Sequence, residues 1–133
     1  MALLIDTNIA ILLRDGEPQT VTRIAGMTGD ALISVVTHVE LEGGVHAKPQ
    51  FAAARRAALD VLLDTLIVIP FEDEALRAYR RIVEASGYVR QRILDRMIAA
   101  TALVHDLPLI TSNGRDFRDI PNLKLLEWLP PED

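Results

Sequence analysis

Ala2-Leu3-Leu4-Ile5-Asp6-Thr7-Asn8 places four apolar residues before an acid and two cap-forming polar residues. A run this short reads as a buried strand rather than a helix. Thr7-Asn8 then opens a short helix over 9–14, stopped by Asp15-Gly16. The same grammar repeats downstream. Strands are expected at 31–35, 66–69, 107–111 and 123–126, and helices at 18–27, 37–46, 51–65, 72–86 and 93–105. Pro18 suits a first helical turn, Gly43-Gly44 should weaken the end of the 37–46 helix, and 114–117 reads as a turn or short helix. Residues 72–86 are clearly amphipathic: Ala75, Leu76, Tyr79, Ile82 and Val83 share a face that Arg77, Arg80, Arg81 and Glu84 avoid, and Gly87 suits the position after the helix. From Met97 to Val104 the chain is apolar almost all round, which predicts a buried helix. Strands alternating with helices imply an α/β fold, a parallel sheet with helices on both faces.

The composition bounds the rest. The chain has 133 residues, 50% hydrophobic and 25% charged, which suits one globular domain over 1–133 that buries roughly two thirds of its unfolded surface. It has no cysteine, which excludes disulfides, thiolate zinc sites and iron–sulfur clusters. His38, His46 and His105 are too scattered for a zinc motif and read as ordinary surface or core residues. Apolar runs such as 66–71 fall far short of the ~20 residues that span a bilayer, and Asp6 interrupts the first run too early for a signal peptide. No membrane association and a cytoplasmic location are therefore expected.

The net charge of −5 hides an asymmetry. Between Arg77 and Arg118 eight arginines face four acids, so that stretch is +4 and the remainder −9. A locally basic face can hold phosphates in an acidic protein, although a solvated helix face explains it as well.

The acids raise a sharper question. In open parallel sheets, ligands gather at the carboxyl ends of the strands. Asp6 ends the first strand, Glu40 lies on the helix after the second, Asp95 falls in the first turn of the buried helix, and Asp116 follows the 107–111 strand. Singly, each has an ordinary reading. Asp6 can cap a helix, Asp95 can complement a helix dipole, Glu40 competes with Glu42, and Asp116 competes with Asp119. Together at one sheet edge they would repel strongly without a counter-ion. Oxygen donors alone favour Mg²⁺ or Mn²⁺.

Four blocks in order, Leu4-Ile5-Asp6-Thr7-Asn8, Ile33-Ser34-Val35-Val36-Thr37-His38-Val39-Glu40-Leu41, Asp95-Arg96-Met97-Ile98-Ala99-Ala100-Thr101-Ala102 and Thr111-Ser112-Asn113-Gly114-Arg115-Asp116-Phe117, resemble the signatures of PIN-domain ribonucleases, and more narrowly those of VapC toxins. The resemblance runs from Leu4 to about Trp128. It implies a three-layer α/β/α fold with a mostly parallel sheet of about five strands. It also implies a Mg²⁺- or Mn²⁺-dependent endoribonuclease whose acidic site falls on Asp6, Glu40, Asp95 and Asp116, supported through hydrogen bonds by Thr7, Asn8, Thr111 and Asn113. On this pattern Glu40 is preferred to Glu42 and Asp116 to Asp119. Leu94 departs from it, since many relatives carry a polar residue before the aspartate.

The resemblance further implies a VapB-type antitoxin partner, an RNA substrate and a homodimer. A partner arginine could reach the carboxylates, and the segments Ile9, Ile11, Leu12, Leu13 and Leu59, Leu62, Leu63 are candidate apolar surfaces for it, although core packing explains both equally well. Proximity to Asp95 and Asp116 makes Arg90, Arg92, Arg96 and Arg115 candidates for flanking phosphates. Tyr88 could stack a base, but reads with Tyr79 as packing or a helix end. Two other functions compete: a metal-dependent phosphohydrolase of small phosphate esters, and a non-catalytic module on the same fold. Asp6-Thr7-Asn8 has no second acid two residues on, as a nucleophilic acid pair would require.

Overall fold

A computed structural model of the chain describes residues 2–128; Met1 and residues 129–133 of the expected domain lie outside it. Five strands form one sheet: β1 (Leu3–Ile5), β2 (Ala31–Ser34), β3 (Ile67–Ile69), β4 (Leu109–Thr111) and β5 (Leu125–Glu127). Six α-helices connect them: α1 (Thr7–Arg14), α2 (Pro18–Ala25), α3 (Val35–Ala47), α4 (Ala52–Leu63), α5 (Asp73–Ser86) and α6 (Ile93–Val104). Single 3₁₀ turns occupy Pro49–Phe51, Arg90–Arg92 and Gly114–Asp116. The strand order is β3-β2-β1-β4-β5, and every pairing is parallel.

Side-chain alternation divides the core into two halves. Leu4 and Leu109 point to one face of the sheet, where they join Ala78 and Ile82 of α5 and Ile98, Ala99 and Ala102 of α6. Leu3, Ile5, Ile33 and Ile110 point to the other face, against Ile9 and Ala10 of α1, Leu41 and Val45 of α3 and Leu59 of α4. Helices cover both faces, so the strands are short continuous apolar runs rather than alternating ones. This is the expected three-layer α/β/α arrangement with a five-stranded parallel sheet. Ile11, Leu12, Leu13 and Leu63 pack against the second half of the core, so packing accounts for much of both apolar segments.

Departures from the expected boundaries have local causes. The helix after β2 begins at Val35 instead of 37, because the Ser34 hydroxyl accepts the Val36 N–H at 3.0 Å and caps it. It also runs through Gly43-Gly44 to Ala47. Two interior glycines cost about 2 kcal/mol relative to alanine. Leu41 and Val45, both fully buried, contribute roughly 3–6 kcal/mol. β4 begins at Leu109 because Pro108 has no N–H to donate, although its carbonyl still accepts Leu4 N at 2.9 Å.

The chain moves outward from β1 through β2 to β3, then returns past β1 to β4. The reversal leaves β1 and β4 side by side with their connections leaving in opposite directions. Such a switch point opens a crevice at the carboxyl edge of the sheet. Asp6 and Thr111 stand there together, because the register pairs Ile5 with Ile110 and Asp6 N donates to Ile110 O at 3.0 Å.

Candidate active site at the carboxyl edge of the sheet

Asp6 is 3% exposed, and both of its carboxylate oxygens are engaged. Oδ1 accepts the Ile9 N–H at 3.0 Å and caps α1, so the ordinary capping reading is true of this residue. Oδ2 accepts the hydroxyl proton of Thr111. Burial pushes the Asp6 carboxyl above its ordinary value, against the pull of the Thr111 and Ile9 hydrogen bonds, and the Glu40 charge adds to the rise. Thr111 Oγ1 in turn accepts the Asn113 N–H at 2.9 Å, which fixes the chain as it leaves β4.

Glu40 is tied to the same edge from α3. Thr7 Oγ1 donates to Glu40 Oε1 at 2.6 Å. The Thr37 hydroxyl lies 3.1 Å from Thr7 Oγ1, and since Thr7 has given up its one proton, Thr37 donates in that pair. Glu42 faces elsewhere. It accepts Arg56 Nη1 at 2.6 Å and lies 3.0 Å from His38 Nε2, and these contacts, Arg56 foremost, hold its carboxyl down at about 2. Asp116 sits at the end of the Gly114–Asp116 turn and accepts the Asn113 side-chain amide. Asp119 is instead the counter-ion of Arg96 at 3.1 Å and Arg92 at 3.5 Å.

Asp95 links the four acids. It is half-buried in the first turn of α6, and its carboxyl is pushed up to about 6. Burial is the largest cause, followed by the charges of Asp116, Glu40 and Asp6, with Arg92 opposing. The elevation is thus mostly the effect of burial, to which the charges of the other three acids add.

Among the described residues no three His, Asp or Glu side chains lie close enough together to hold a metal ion by themselves. The four acids come from four separate segments of the chain. A cleft of about 890 Å³ at the start of α5, lined by Phe71, Glu72, Asp73, Arg77 and His105 among others, contains none of them. The acids Asp73 and Glu74 there complement the α5 dipole.

A family model for the PIN domain matches residues 3–123. The chain belongs to the PIN-domain family. Among its curated relatives are "Ribonuclease VapC1" of Rickettsia felis, 33% identical over 132 residues, and "Ribonuclease VapC" of Rickettsia bellii, 28% identical over 132 residues. Each alignment covers 95% of this chain and 96% of the relative. Among solved structures, VapBC2 from Rickettsia felis bound to a DNA fragment from its promoter superposes with a TM-score of 0.86 at 25% identity, covering 96% of this chain and 99% of that one. VapBC-1 from nontypeable Haemophilus influenzae gives 0.78 at 25% identity, with 96% and 98% covered.

Several expectations are revised on this PIN scaffold. Arg96 is 1% exposed, with one guanidinium arm donating to Gly87 O and another on Asp119, so it is not available to a flanking phosphate. Nothing in the one-dimensional sequence signalled this, since Asp119 lies 23 residues away. Arg92 is half-buried beside Asp95 and Asp119, while Arg90 and Arg115 are exposed. Asn8 has an exposed side chain and reaches Asp6 through its backbone N–H. Tyr79 packs on the core as expected, but Tyr88 does not: it is 65% exposed. His46 and His105 are exposed, and His38 faces Glu42. No helix among the described residues is long and apolar enough to cross a membrane.

Proposed function

We propose that this chain is the toxin of a toxin–antitoxin pair, a divalent-metal-dependent endoribonuclease that hydrolyses RNA phosphodiesters. The observation that carries the reading is the switch point where Thr111 meets Asp6, with Glu40 held there through Thr7 and Asp116 through Asn113; the rise of the Asp95 carboxyl to about 6, by burial first and the charges of the other acids after it, supports it. Kinship with VapC ribonucleases supplies the substrate class, and relatives solved as VapBC complexes supply the kind of partner.

The donor set suits a hard dication. It offers oxygens only, and its mutual repulsion is the penalty that a 2+ charge relieves. Mg²⁺ and Mn²⁺ take one or two carboxylates and keep several waters, so they do not require three protein side chains closed on the ion. Asp6 and Asp95 would hold it, with Glu40 and Asp116 as direct or water-mediated ligands. When bound, it would supply acidification of a water and charge screening of the scissile phosphate.

The chain's own groups do the positioning. Thr111 and the Ile9 N–H hold the Asp6 carboxylate from two sides, Thr7 orients Glu40, and Asn113 orients Asp116. Arg92 lies where its charge opposes the rise of the Asp95 pKa and is paired with Asp119, whereas the exposed Arg115, which precedes Asp116, and Arg90 are assigned to flanking phosphates. Hydrolysis joins the oxygen of water to phosphorus and breaks the P–O3′ bond. The products are a 3′-hydroxyl and a 5′-phosphate, with no need for the ribose 2′-OH as nucleophile or for a histidine base.

The test is to express the chain without a partner, beside Asp95→Asn, and to map the RNA ends formed. Growth arrest with new 5′-phosphate ends only in the wild type supports the assignment. Equal toxicity of the two, or ends bearing cyclic phosphate, refutes it. A homodimer is part of the proposal and is checked by the mass of the purified chain in solution.

A further inference from the structure

We propose that residues 86–92, the link between α5 and α6, form a preorganised docking element for single-stranded RNA, in which the Tyr88 ring stacks on an unpaired base and Arg90 holds the adjoining phosphate. The inference rests on the ribonuclease reading and adds to it a substrate-recognition residue.

The link is rigid at its base and open at its tip. At the base, Gly87 adopts φ +83, a conformation that side chains resist, and its N–H closes α5 on Val83 O at 2.8 Å. Its carbonyl accepts the buried Arg96 guanidinium. Ser86 Oγ donates to Asp119 O at 2.7 Å, and Arg96 and Arg92 both reach the Asp119 carboxylate. These contacts staple the two ends of the link to the segment after Asp116. At the tip, Tyr88 is 65% exposed, and the exposed Arg90 makes no ion pair among the described residues.

Aromatic rings left in water beside unpaired cations fit the two needs of a nucleotide, a π-face to stack on and a phosphate to neutralise. Rigidity matters because a platform already ordered loses little entropy when a base settles on it. The link also runs straight into the first turn of α6, which carries Asp95. Tyr88 precedes Asp95 by seven residues, and the proposal seats a nucleotide flanking the cleaved phosphate on it. A duplex hides its base faces, so the element selects single-stranded segments.

The probe is a fluorescein-labelled, mixed-sequence 10-nucleotide RNA titrated with the full chain, with Ca²⁺ in place of Mg²⁺, alone and as a duplex. Tyr88→Ala should weaken single-strand binding about 10-fold, and Tyr88→Phe should stay within about twofold of wild type. Both should melt with the wild type, since the side chain is exposed. Arg90→Ala should lower the slope of log affinity against log salt by about 0.7. In cleavage assays with Mg²⁺, Tyr88→Ala should raise KM for RNA more than it lowers kcat. The proposal is overturned if Tyr88→Ala binds the oligonucleotide within twofold of a wild type that binds and cleaves RNA. It is overturned equally if Tyr88→Ala loses only the copurifying antitoxin, which would assign the link to protein recognition. A wild type that neither binds the oligonucleotide nor generates 5′-phosphate ends instead removes the ribonuclease reading, and this one with it.

Discussion

Asp95→Asn should yield a more stable protein that no longer cleaves RNA. In the folded, metal-free chain the Asp95 carboxyl moves from 3.8 to about 6, roughly two units, or about 3 kcal/mol at 1.36 per unit. The residue is only half-buried, so solvent screening reduces this to about 1–1.5 kcal/mol. The sign follows from proton linkage. Between pH 3.8 and about 6 the folded state holds a proton that the unfolded state has lost, so stability falls as pH rises through this window and levels off above it. Asparagine has no proton to lose and escapes the fall. Urea and thermal melts of both proteins in EDTA, from pH 4 to pH 8 at one protein concentration, would measure it. The variant should gain on the wild type between pH 4 and about 6.5, then hold a plateau of about 3–6 °C in Tm above pH 7. Adding Mg²⁺ should raise the wild-type Tm at pH 8 and leave the variant nearly unmoved. A difference that is flat with pH, or a variant less stable at pH 8 than at pH 4 relative to wild type, would show that the four carboxylates do not share a field.

Thr111→Val deletes the hydroxyl that donates to Asp6 Oδ2, leaving a buried acceptor without its partner. It should cost about 1–3 kcal/mol in urea melts and lower RNA cleavage, whereas Thr111→Ser should retain most of both. Because protons and cation compete for Asp95, cleavage at limiting Mg²⁺ should rise with pH through about 6, and raising Mg²⁺ should move the midpoint down; a pH–rate profile indifferent to Mg²⁺ would contradict the site. Gly114→Ala should cost no more than about 1 kcal/mol in urea melts, because the added Cβ meets only the far end of the exposed Glu127 side chain, which can swing aside at the expense of its pair with Arg118. Combined with Glu127→Ala, which vacates that space, it should cost no more than Glu127→Ala alone, as read in a double-mutant cycle.

The fold was legible because its central strands β1 and β4 are too short and apolar to be anything but buried, and because helices such as α5 are amphipathic in sequence. Leu3-Leu4-Ile5 sends alternate side chains to two separate cores, which the sequence implies as soon as helices are placed on both sides. Boundaries were harder where one residue serves two elements. Ser34 closes β2 and caps α3, and a strand reading has no place for the second role. At the site, the rival pairs Glu40/Glu42 and Asp116/Asp119 are one turn or less apart in sequence and were separated only by resemblance. The structure separates them by partner: Glu42 answers Arg56 and Asp119 answers Arg96, both cations from other segments. Arg96 was misread for the same reason. A buried arginine is identified by its counter-ion, and that counter-ion comes from a distant loop.

The basic stretch teaches a related lesson about electrostatics. Counted along the chain, residues 77–118 carry a surplus of four positive charges. Folding brings in two acids from just beyond that window, Asp119 onto Arg92 and Arg96, and Glu127 onto Arg118 at 2.7 Å. These pairs fix the turns that present Asp95 and Asp116, so their charge is spent on architecture. Arg90 and Arg115, exposed on the flanking 3₁₀ turns, form no ion pair among the described residues. A strongly basic site would bind any polyanion, with affinity collapsing steeply as salt rises. On the proposed function, two unneutralised arginines near four acids would give a weaker, more selective pull, drawing in a phosphate that the acids repel unless a cation mediates. On that reading, RNA affinity should therefore depend on the metal as well as on salt. Binding of an oligonucleotide should strengthen when a divalent cation is added, the opposite of what simple screening of arginine contacts would produce.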